Sequence, residues 1–145
     1  MSNNLQAFFM QNAEQPEQIE REISKRFKGE DGKPVKFIFK AITPEKDAEI
    51  KNKSMIKKPI TQGKRKGQFD VEFNSGKYQN LLTIESMVKP NLNDATLQES
   101  YGVMGSEALF NVFLLPAEAT DAFNAAQEAN GYENDMADLV DEVKN

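Results

Sequence analysis

The chain has 145 residues, 39% of them hydrophobic and 28% charged, with a formal net charge of -5 and a mean hydropathy of -0.64. That length holds one core but not two, and no apolar run approaches the roughly 20 residues a bilayer-spanning helix needs. With no cysteine and no histidine, disulfides, thiolate zinc sites and His-based catalysis are excluded, so the expectation is a non-enzyme with no catalytic residue, no cofactor and no metal.

The opening "MSNNLQAFFMQNAEQ" lacks the basic start and long apolar stretch of a signal peptide, which points to the cytoplasm. Residues 4–12 form a short helix in this reading, with Leu5, Phe8 and Phe9 on its apolar side. So short a helix is marginal alone and needs a surface to dock on, its own domain or a partner. From Ile19 the period changes to two. Ile19, Ile23 and Phe27 share one face, with Glu20, Glu22, Ser24 and Arg26 on the other, and Val35, Phe37, Phe39 and Ala41 alternate again after "KGEDGK". The two runs predict a hairpin closed through Asp31-Gly32. Glu30 and Asp31 then serve the turn, since adjacent carboxylates there do not converge on a metal or a proton.

Thr43-Pro44 predicts a helix start, hydroxyl cap then proline, and a helix over about 44–56. Next comes "KNKSMIKKPITQGKRKG", residues 51–67, with seven Lys or Arg and no acid. We read it as a mobile connector. Lys57, Lys58, Lys64, Arg65 and Lys66 are candidates for electrostatic docking of an acidic protein segment. A nucleic-acid grip is the weaker reading, because the stretch has no aromatic to stack on bases and the chain's pI is about 4.9. "GQFDVEF" then alternates Phe69, Val71 and Phe73 as a third strand.

The remainder reads as helices. One is capped by Asn74 or Ser75 and carries Tyr78, Leu81, Leu82 and Val88. Another is capped by Asn93, with Leu97 and Tyr101 on one face. A short apolar helix around Leu109, Val112 and Phe113 lies in the core, and one more runs from Pro116 to Asn130-Gly131. The end, "ENDMADLVDEVKN", sets Met136, Leu139, Val140 and Val143 at i, i+3, i+4 and i+7, opposite Glu133, Asp135, Asp138, Asp141 and Glu142. That stripe packs on the chain's own core or recognises a basic, amphipathic partner. The expected fold is α+β, a small antiparallel β-sheet (the hairpin plus a third strand) followed by a compact helical half. It is one domain over 1–145: a loosely docked N-terminal segment 1–16, a sheet-containing half 17–73, a helical half 74–130 and a C-terminal amphipathic helix 131–145.

Two ligand motifs fail on spacing. "GKRKGQ" lacks the P-loop interval and its Lys-Ser/Thr ending, and "NLNDATLQESYG" puts Ala95, Thr96 and Gly102 where a calcium loop needs ligand, glycine and glutamate. Charge is uneven, with 15 basic and 11 acidic residues over 1–73 against 3 and 12 over 74–145. Such polarity steers a charged partner or draws the basic stretch onto the protein's own acidic half.

Taken in order, "SKRFKGEDGKPVKFIFKAITPEKDAEI", "KYQNLLTIESMVKPNLNDATLQESYGVMGSEALFNVFLLPAEATDAF", "ANGY" and "LVDEVKN" resemble the XkdN-like tail assembly chaperones of long-tailed phages and defective prophages. Pro116-Ala117-Glu118 stands where that family usually has Pro-Gly-Glu. The resemblance implies a non-structural viral protein in the host bacterial cytoplasm. It would bind the tape measure protein, keep it soluble until tail tube subunits enclose it, and in doing so meet the tail tube protein. It implies no nucleic acid, no membrane and no catalytic site. Many such chaperones also have a longer, frameshifted form, which the codons around Lys144-Asn145 would reveal. Leu5, Phe8 and Phe9, and Met136, Leu139, Val140 and Val143, are the candidate partner-binding residues, chosen for their amphipathic placement and not from a family motif. A general protein-interaction or scaffold module shares the same fold reading.

Overall fold

The computed structural model describes residues 4–132. Its regular elements are β1 (Ile19–Arg21), β2 (Phe37–Phe39), α1 (Pro44–Lys53), β3 (Met55–Pro59), β4 (Phe69–Phe73), α2 (Ser75–Ser86), β5 (Met87–Lys89), α3 (Ala95–Ser100), α4 (Ser106–Phe113) and α5 (Pro116–Ala129). The α+β class expected from the sequence is the one observed, with the strands redistributed between two antiparallel sheets.

The first sheet has the order β1-β2-β5. Ile19 pairs with Phe39 and Arg21 with Phe37, while Phe39 pairs with Met87 across a register shift. The hairpin connection is confirmed: Lys28 bridges Pro34, and Asp31 accepts a hydrogen bond from the Lys33 amide inside the turn. The strand itself is shorter than the period-two run, however. Beyond Arg21 the chain leaves the ladder, and Ser24, expected on the solvent face, is buried. The third strand of this sheet is β5, which follows α2 without an intervening turn. Val88, expected on the helix, therefore stands exposed on that strand.

The second sheet is the β3–β4 hairpin, register Met55↔Phe73 through Lys57↔Val71 to Pro59↔Phe69. The basic stretch is thus not a connector. It comprises the last turn of α1, all of β3 and the hairpin loop, where Gly63 and Gly67 adopt positive φ that an L side chain would resist.

Helix starts follow their predicted chemistry at two places, Thr43 accepting from the Lys46 amide and Asn74 from that of Lys77. At α3 the cap is Asp94, one residue after the expected Asn93. α5 ends in a Schellman closure, with Gly131 at φ 86, its amide donating to Glu128 and that of Tyr132 to Gln127.

One core joins the first sheet to α2, α4 and α5 through Phe37, Phe39, Ile84, Leu92, Leu109 and Ala126. Phe27 stacks on Phe113 with centroids 4.7 Å apart, and Tyr101 meets Phe113 edge-on. On α4, Phe110 is buried while Val112, expected inside, is 54% exposed. The helix shows the core the face of 109, 110 and 113, at i, i+1 and i+4, and leaves 112 outside. A smaller cluster of Ile50, Leu81 and Leu82 ties α1 to α2, with Ile42, Tyr78 and Phe123 packed against it.

Candidate partner-binding surface

Leu5, Phe8 and Phe9 lie together on a single 3-10 turn, Leu5–Phe8, rather than on an α-helix, and no residue of that turn is buried. Phe8 is 77% exposed, and Met10 follows it into solvent. The turn is closed locally, the Asn12 side chain donating to the Gln6 carbonyl and the Ala7 amide to that of Asn4. Four residues are too few to bury an apolar stripe against the domain. Met136, Leu139, Val140 and Val143 lie outside the described residues.

A second apolar surface, which the sequence reading did not assign to binding, is the β3–β4 hairpin. Its register puts Met55, Phe73, Lys57, Val71, Pro59 and Phe69 on one face and Ile56, Glu72, Lys58 and Asp70 on the other. The first face is open, with Phe69 59% and Val71 58% exposed. A signal for this was present. Lys57 stands opposite Val71 in mid-face, and a lysine between aromatic neighbours belongs to a face that is not sealed in a core.

The hairpin is held at its base. Ser54, fully buried between α1 and β3, donates its hydroxyl to the Ile50 carbonyl at 2.7 Å, and its own carbonyl accepts from the Asn74 amide at 2.8 Å. Phe73 packs on Tyr78 of α2 with centroids 5.8 Å apart. The Tyr78 hydroxyl donates to Asp47 of α1, and Lys51, over the Tyr78 ring, pairs with the same Asp47 at 2.9 Å. Burial and then the Asp47 carboxylate push the Tyr78 phenol well above its ordinary value, so the hydroxyl keeps its proton and remains a donor at physiological pH.

The five candidate docking cations are not equivalent. Lys58 pairs with Glu72 at 2.5 Å and Arg65 with Asp70 at 3.0 Å, whereas Lys57, Lys64 and Lys66 have no ion pair among the described residues. The free charge therefore sits on the apolar face and at the tip, not on the polar face. Beside the base, Tyr132 lines a cleft with Ile42, Thr43, Asp47, Leu82 and Asn130. Among the described residues no cluster of carboxylates has metal-binding geometry, and no helix is long and apolar enough to cross a membrane.

The family model described as "Phage XkdN-like tail assembly chaperone protein, TAC" matches residues 5–144. The chain belongs to that family. It is therefore a phage tail assembly chaperone by descent, and phage tail proteins are its class of partner. Two relatives from Bacillus subtilis (strain 168) are similar over 130 residues, 89% of this chain and 85% of theirs. They are the uncharacterized protein YqbN, 33% identical, and the phage-like element PBSX protein XkdN, 32% identical. The crystal structure of YqbN superposes with a TM-score of 0.74 at 26% identity, over 92% of this chain and all of that one. A family of tail assembly chaperones with this fold suits a protein that acts through surfaces, and the two open apolar faces are where such action has material to use.

Proposed function

We propose that this chaperone binds the tape measure protein of its phage and keeps it soluble in the bacterial cytoplasm until tail tube subunits assemble around it. A tape measure chain is long, helical and apolar along one side, so it needs a cover that can later be removed. The observation that carries the reading is the set of large apolar side chains left open on the described surface, Phe8, Phe9 and Met10 at one place and Met55, Phe69, Val71 and Phe73 at another. Isolated exposed apolar residues are ordinary, but grouped ones on a held scaffold mark a binding surface. Binding the exposed client lowers its free concentration by mass action, and modest affinity per copy lets tube subunits displace the cover. No covalent step enters this function.

The test is co-expression with a tape measure fragment from the same phage. The fragment is expected to stay soluble and copurify with the wild-type chain, and solubility is expected to fall when Phe8 and Phe9 are both replaced by Asp. A fragment that precipitates equally with and without the chaperone overturns the assignment.

A further inference from the structure

We infer that the open apolar face of the β3–β4 hairpin is the docking site of this chain's own acidic end, residues 133–145, which lies across Met55, Val71 and Phe69 with its carboxylates toward Lys57 and the tip cations.

The first support is where the described chain stops. The Schellman closure fixes the direction in which Tyr132 leaves α5, and Tyr132 shares a cleft with Asp47. Asp47 accepts from Tyr78, and Tyr78 packs on Phe73 at the base of the hairpin face. Residue 133 therefore begins beside that base. The second is length. Thirteen residues wound as a helix reach about 20 Å, and a five-residue strand spans roughly 17 Å, so the segment can run from base to tip. Its stripe Met136, Leu139, Val140 and Val143 covers about 10 Å of helix, close to the roughly 13 Å between Phe73 and Phe69 along β4.

Charge supplies the third support and selects the occupant. The segment carries five carboxylates and one lysine, whereas residues 1–16 carry the single acid Glu14. The cations that lack an ion pair among the described residues are Lys57 within the face and Lys64 and Lys66 at the tip. A segment entering from Tyr132 brings Asp135 and Asp138 near the level of Lys57 and carries Asp141 and Glu142 to the tip. A second copy of the hairpin is a poorer occupant, because it would set one Lys57 into an apolar face that already holds another. This docking does not depend on the tape measure reading, and its test uses no client.

A photo-crosslinking residue at position 71 in the full chain, irradiated at low micromolar concentration, is expected to join peptide 133–145 within the monomer band. Crosslinks found only in a dimer band, only to residues 1–16, or to nothing in 133–145 overturn the proposal. Hydrogen exchange gives a second reading that does not require the label. In full-length Leu139→Asp, the hairpin amides are expected to exchange about tenfold faster, as they would on losing a cover, while the Leu109 amide in the core keeps its rate. Unchanged hairpin exchange in that variant also overturns it.

Discussion

Glu118 concentrates more stabilising contacts than any pattern around it predicts. Its carboxylate accepts from the Leu115 amide at 2.9 Å, capping α5, and from the Arg26 guanidinium at 2.5 Å. Arg26 also donates to the Phe113 carbonyl and lies over the Phe27 ring. The Arg26 hydrogen bond is the main reason the Glu118 carboxyl is held down to about 2, against burial, which pushes it up. A folded value below the ordinary 4.5 means that this contribution is complete above about pH 4.5. It is lost as pH falls from there toward 2, where the folded form also takes its proton. Glu118→Gln is expected to cost about 1–2 kcal/mol at pH 7 and to flatten the fall in stability between those pH values. Urea unfolding of both proteins across that range checks it, and parallel curves would refute the role. The helix start at Pro116 was readable from local rules. The partnership with Arg26 was not, because no short-range pattern links residue 26 to residue 118.

Among the elements, α5, the α2–β5 junction and the chain entering α1 are joined by one side chain. Asn130 accepts from the Ile42 amide at 2.8 Å and donates to the Ser86 hydroxyl at 2.9 Å and to the Ala126 carbonyl at 2.7 Å. From the sequence, Asn130-Gly131 was a helix stop and nothing more, since the long-range bonds depend on tertiary placement. Asn130→Ala leaves the partly buried Ile42 amide without its acceptor and is expected to destabilise by about 2–3 kcal/mol, read as a shifted urea midpoint at unchanged slope. The β3–β4 hairpin gives the opposite lesson. Alternation at Phe69, Val71 and Phe73 identified a strand correctly, but period two reports two faces and not which one is covered. β3 escaped notice because Lys57 and Lys58 resembled a charged connector. β5 escaped because three residues directly after a helix offer no period to read. Phe69→Ser is expected to leave thermal stability within about 0.5 kcal/mol of wild type, because the side chain it removes supports no described core.

For the molecule as a whole, stability rests on the cluster around Phe37, Phe39, Leu92 and Leu109, all of them almost completely buried. Phe39→Ala is expected to cost about 3–5 kcal/mol, a large part of the roughly 5–15 kcal/mol typical of a domain. Calorimetry should show a lowered, broadened transition or none. The α+β class, the order of halves and most helices could be derived from periodicity and caps. The division into two sheets could not, because it depends on β5 returning from the helical half to pair with Phe39.

That return has a consequence for synthesis on the ribosome. β1 and β2 emerge early, but their sheet waits for Met87–Lys89, and Arg21 waits for Glu128. Until nearly the whole message has been translated, Phe37 and Phe39 belong to a nascent chain whose cover is still being made. A protein that shelters another polypeptide thus passes its own early life unsheltered, which favours slow release from the ribosome or help from the host's folding machinery.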